Sequence, residues 1–95
     1  MSEIKLTQKF TIKNKLGLHA RAAAVFVRLT SKYESTITVK KGDFEIDGKS
    51  ILGVLSLAAV CGTEIVIELS GSDSQMALAA ITELIDSGFG EGVCE

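Results

Sequence analysis

Ninety-five residues, 46% of them hydrophobic, provide enough chain for one core and no more. Ten Lys and Arg against twelve Asp and Glu leave a formal charge of −2 with the cations scattered, which argues against nucleic acid as a partner. No apolar run approaches the ~20 residues of a membrane span, and MSEIKLTQKF lacks a basic stretch followed by an apolar one. A cytoplasmic protein of one domain, residues 1–95, without membrane insertion is the expectation.

Ile4, Leu6, Phe10 and Ile12 fall on alternate positions, with Gln8 the exception, and predict a strand with one wet face. Asn14-Lys15-Leu16-Gly17 breaks that alternation. Ala22, Val25, Phe26, Leu29 and Tyr33 then cover one side of a helix from about Ala20 to Tyr33. Ile37 and Val39, the turn Lys41-Gly42-Asp43, then Phe44 and Ile46 predict a hairpin.

Ser50 is a good N-cap for a short helix that Gly53 and Val54 keep from growing. Thr63 to Leu69 is rich in β-branched residues and points Ile65, Ile67 and Leu69 to one face. Its Glu64 and Glu68 read as a solvated edge rather than an acid–base pair. Ser72-Asp73-Ser74-Gln75 fits a capping box, followed by the helical stripe Ala77, Ala80, Ile81 and Leu84. Gly88 and Gly90 end that helix and start a glycine-rich acidic tail, while Ser31, Ser35 and Thr36 read as loop. The order β-α-β-β-α-β-α predicts an α+β fold, a mostly antiparallel four-stranded sheet with three helices on one face.

Cys61 and Cys94 form no C-x-x-C pair, and one histidine completes no typical structural zinc site, so no metal is expected. Without an export signal both cysteines are expected as reduced thiols. A hydrolase triad is not available either.

The histidine is His19, where the first strand-to-helix loop meets the helix. A lone histidine is usually structural, and position alone favours that reading. Its neighbours favour another. A helix start offers free N–H groups and the positive end of the dipole to a dianion. Arg21 brings a guanidinium that can fork onto phosphate oxygens, and Gly17 permits close approach of the backbone. Ala20 and Ala22, in the first turn, complete the candidate phosphate-supporting set.

The run Asn14-Lys15-Leu16-Gly17-Leu18-His19-Ala20-Arg21-Ala22-Ala23-Ala24 resembles the phosphorylation motif of the HPr family, the phosphocarriers of the bacterial phosphotransferase system. Gly48-Lys49-Ser50-Ile51-Leu52-Gly53-Val54-Leu55-Ser56-Leu57 resembles the regulatory serine motif of the same family. The resemblance extends from about residue 4 to residue 90 and implies an open-faced β-sandwich. It further implies that His19 takes a phosphoryl group at Nδ1 from phospho-enzyme I, itself charged by phosphoenolpyruvate, and donates it to an enzyme IIA. No cofactor is implied, and the protein is a carrier rather than a catalyst with its own turnover. One departure is Ala22, where most family members carry proline; alanine restores a donor there and loosens the first turn.

The resemblance makes Ser50 a target of the HPr kinase/phosphorylase, whereas a cap worth ~1 kcal/mol explains the residue equally well. Ile51, Leu52 and Leu55, with Ala20 and Ala24 of the first helix, suit an apolar docking patch rimmed by Arg21, Lys49 and Lys15. Val54 is expected in the core, and Leu52 and Leu55 as the exposed pair. Two branches, sugar uptake and its nitrogen-related counterpart, fit a monomeric carrier. The alternatives are a regulatory relative acting through phosphorylated Ser50 and a scaffold in which His19 is incidental.

Overall fold

The computed structural model describes residues 5–91. Strand β1 (Lys5–Thr11) leads to helix α1 (Ala20–Thr30), the hairpin β2 (Thr36–Lys41) and β3 (Phe44–Asp47), and helix α2 (Ile51–Ser56). Strand β4 (Glu64–Ser70), helix α3 (Ser74–Asp86) and a single 3₁₀ turn, Gly88–Gly90, complete the chain. The sheet order is β1-β4-β2-β3 and every pairing is antiparallel.

Alternation decides which face is covered. Ile65, Ile67 and Leu69 of β4 pair across with Phe10 and Gln8 on one side and with Val39 and Ile37 on the other. These apolar side chains meet Ala22, Ala23 and Phe26 of α1, Val54 of α2, and Ala77, Ile81 and Ile85 of α3 in one buried cluster. The opposite face is ionic. Lys40 Nζ lies 2.9 Å from Glu68 and Lys9 Nζ 3.9 Å from Glu64. β4 is thus an interior strand, and Glu68 is a half-buried member of an ion pair rather than part of a solvated edge. Edge or interior is a matter of strand order, which alternation does not encode.

The first helix stops at Thr30 instead of Tyr33. Lys32 and Tyr33 close i→i+3 turns onto Leu29 and Thr30. The Thr30 hydroxyl contacts Gly48 O at 2.8 Å, which ties the helix end to the turn after β3. Thr36 opens β2, and Ser35 is buried rather than a free loop residue. The expected glycine-rich tail is ordered from 88 to 90: Phe89 adopts φ 57° and joins the core. The Ile4 position and Cys94 lie outside the described residues. Cys61 is disulfide-bonded, which corrects the expectation of a reduced thiol. Compartment arguments do not say whether a fold brings two sulfurs within bonding reach.

The expected capping box at α3 does not form. Asp73 occupies the N-cap position, but its carboxylate makes no cap bond. It accepts instead from the Ser35 hydroxyl and from the N–H groups of Glu34 at 2.8 Å and Ser35 at 2.9 Å. The α1–β2 turn has uncapped N–H groups within reach, so the carboxylate serves that turn. These donors, the Ser35 hydroxyl foremost, hold the Asp73 carboxyl below its ordinary value of 3.8 against the opposing effect of desolvation. A carboxyl with a depressed folded pKa stabilises fully above the unfolded value, and the contribution fades as pH falls through the folded one. Asp73→Asn should therefore unfold at lower urea concentration than the parent at pH 7. The gap should narrow below about pH 4, where both carboxyl states converge. A gap independent of pH would show that the carboxylate's charge contributes nothing.

Candidate functional site

Between β1 and α1 the chain makes a tight, braced loop. Gly17 stands at φ +68°, and a Cβ there would meet Ala59 O at 2.5 Å. Glycine is needed both for its left-handed backbone and for the close approach. Leu18 N–H donates to Ala59 O at 2.8 Å, and the buried Asn14 donates through Nδ2 to Gly17 O at 2.6 Å. The loop is thereby fixed on the segment between α2 and β4. His19 follows as the N-cap of α1, with extended backbone, and its carbonyl accepts from Ala23 N–H at 2.8 Å.

The ring has a partner at each nitrogen. Arg21 N–H points to Nδ1 over a long 3.4 Å, and Glu91 Oε2 lies 2.7 Å from Nε2. The other Glu91 oxygen accepts from Asn14 Nδ2 at 3.1 Å. That amide, the His19 ring hydrogen bond and the nearby Arg21 charge hold the Glu91 carboxyl below its ordinary value, although desolvation opposes them. An ionised carboxylate only accepts, so Nε2 must donate. Nδ1 is then the nitrogen that carries the lone pair, turned to the Arg21 N–H. Both neighbours specify the same tautomer.

Arg21 and Ala20 are exposed, whereas Ala22 is fully buried with its methyl in the core. Any service Ala22 gives a phosphate must come from its backbone. In the second motif the Ser50 hydroxyl caps α2, accepting from Gly53 N–H at 3.0 Å. Lys49 Nζ donates to Tyr33 O at 2.6 Å, which binds its ammonium to the α1–β2 turn. α2 packs against α1 and β3 and buries Val54. Leu52 is 79% exposed and Ile51 44%, while Leu55 is half-buried against the core. The exposed pair is thus Ile51 and Leu52, not Leu52 and Leu55. One helical turn after Ile51 the chain already faces inward. Ala24 of α1 is half-buried.

The family model for the PTS HPr component phosphorylation site matches residues 6–87. This chain belongs to the HPr family. It is 47% identical to a phosphocarrier protein HPr of Neisseria meningitidis over 92% of this chain and 98% of that one. It is 41% identical to a phosphocarrier protein NPr of Shewanella violacea, over 92% of this chain and 96% of the relative. The crystal structure of HPr-C-His from Thermoanaerobacter tengcongensis superposes with a TM-score of 0.84 at 41% identity, covering 98% of this chain and all of the other. As an HPr-family member the chain is a phosphocarrier of the phosphotransferase system, not a catalyst in its own right. The open sheet with three helices on one face is the fold of its HPr neighbours.

Two residues of the site escaped the sequence reading. Asn14 stands there as a break in alternation and as the first residue of the motif run, with no role of its own, and Glu91 falls in the tail. The distance from Asn14 to Glu91 along the chain leaves no local pattern linking them. The motif residue Gly17 provides a test of the loop's geometry. Gly17→Ala must carry both a left-handed alanine and a contact with Ala59 O, and should cost more than about 2 kcal/mol. Urea unfolding of the variant measures this directly; an unchanged midpoint would mean that the loop has room to relax.

Proposed function

We propose that His19 accepts a phosphoryl group at Nδ1 from phospho-enzyme I, charged in turn by phosphoenolpyruvate, and donates it to a histidine of an enzyme IIA. The observation that carries this reading is the ring's placement at the start of α1, with Nδ1 turned to the Arg21 N–H and Nε2 engaged elsewhere. A phosphate on Nδ1 meets the free N–H groups and positive dipole end of the helix, and the exposed Arg21 guanidinium can fork onto its oxygens. Gly17, Ala20 and Ala22 support the group through the backbone. The exchange between two phosphohistidines is nearly balanced in chemistry, as a carrier requires.

The likeness to both HPr and NPr relatives fits service in sugar uptake or in the nitrogen-related branch. The whole chain acts as one monomeric carrier domain in the cytoplasm, without a bound cofactor. The exposed Ile51 and Leu52, with Leu55 beneath and Ala20 and Ala24 beside them on α1, form the docking patch for enzyme I and enzyme IIA. Arg21, Lys15 and Lys49 supply its basic rim, Lys49 with its ammonium held on Tyr33 O. Ser50 is the regulatory position for an HPr kinase/phosphorylase. A dianion at the start of α2 is compatible with the fold but wets the patch and opposes an acidic partner face.

Incubation with phosphoenolpyruvate and enzyme I should add one phosphoryl group that is labile in acid and stable in alkali. His19→Ala should add none; uptake by that variant sinks the assignment. In the same assay Leu52→Glu should slow transfer by an amount equivalent to about 2 kcal/mol, the loss of a central apolar anchor. Ser50→Asp should slow it in the same direction. Parent-like rates for both variants would place docking on another face.

A further inference from the structure

Glu91 sits just past the last helical element, yet it is the side chain that grips the His19 ring. We infer that Glu91 is a positioning residue for phosphoryl transfer, holding the proton on His19 Nε2 and the lone pair on Nδ1. The inference rests on His19 being the phosphoryl acceptor. Three features make the contact a built one. The carboxylate side chain is only 15% exposed and the imidazole 29%, so water competes weakly for either. Asn14, fully buried and already bound to the His19 loop through Gly17 O, spends a further N–H on the second carboxylate oxygen. Phe89, buried in the core two residues earlier, anchors the backbone that presents the group.

The geometry distinguishes a positioner from a blocker. A carboxylate at Nδ1 would occupy the site of the incoming phosphorus. Glu91 meets Nε2 instead, across the ring, and leaves Nδ1 facing the Arg21 N–H. In the transfer step the Nδ1 lone pair forms the new N–P bond. The donor's N–P bond breaks, and its electron pair returns to the donor imidazole. The positive charge passes from the donor ring to the His19 ring, whose proton stays on Nε2 against the carboxylate. No proton needs to move. Among the described residues, Glu91, beyond α3, contacts the ring at Nε2, and Arg21, on α1, lies near enough to act on the Glu91 carboxylate. Arg21 is suited to the phosphoryl oxygens, whereas Glu91 offsets the charge the ring acquires.

The test uses the full chain with Glu91→Gln and Glu91→Ala. Glutamine has a single oxygen, while His19 and Asn14 both donate, so it cannot satisfy the pair. Nitrogen-15 NMR of the imidazole reads the tautomer, and single-turnover transfer from phosphorylated enzyme I reads the rate. Both variants should keep a folded spectrum, show a larger Nδ1–H fraction than the parent, and accept phosphate about tenfold to a hundredfold more slowly. A shifted tautomer with an unchanged rate overturns the inference, as does an unchanged tautomer. A faster variant overturns it too, since Glu91 would then be competing with the phosphoryl group. If the parent protein itself accepts nothing on His19, the underlying assignment fails and the inference falls with it; slow variants beside an active parent support both.

Discussion

The close contact of Gly17 with the backbone of Ala59 is the constraint on which the site depends. It presses the loop before α1 against the segment between α2 and β4, and Leu18 N–H seals it onto the same carbonyl. Because that segment leads directly into the central strand β4, the His19 loop inherits the rigidity of the sheet. Asn14 then joins the loop to the end of the chain through Glu91. The histidine is therefore held by three stretches of chain far apart in sequence, although its own motif is short. The proposed role of His19 benefits from this arrangement: the ring is exposed enough to be reached by a partner, yet fixed enough to present one nitrogen in one direction.

The remaining architecture separates the buried core from the proposed docking patch. Apolar alternation in β2 and β4 and the stripes of α1 and α3 make a core under one face of the sheet. The opposite face is covered by ion pairs such as Lys40 with Glu68, whose carboxylate holds the Lys40 ammonium above its ordinary value. The short helix α2 contributes Val54 to the core and leaves Ile51 and Leu52 outward. So small an element cannot bury all its apolar residues, and its exposed ones are available to a partner at little cost to the fold.

Much of this was legible in the residues. The period-two runs, the helical stripes and the Ser50 cap predicted the element order and the core face, and the two motifs placed His19 and Ser50. Such features act over one or two turns, where local geometry decides. The misplacements share one cause. Asp73 has the composition of a capping-box residue, but a neighbouring turn offered better donors. Leu55 shares the helix of Leu52 yet rotates inward. Tyr33 continues the helical stripe, but the helix ends where Thr30 is tied to Gly48.

Sequence alone determined the class of fold, the covered face of the sheet and the place of His19 at a helix start, because each follows from side-chain period or a contiguous motif. Tertiary structure decided which groups meet that histidine. Nothing local joins Asn14 to Glu91, or identifies Cys61 as bonded; the first depends on where Glu91 is brought after α3. The tautomer of His19 belongs to the same category. A free imidazole favours Nε2–H only weakly, and the partners that folding places at its two nitrogens fix that choice.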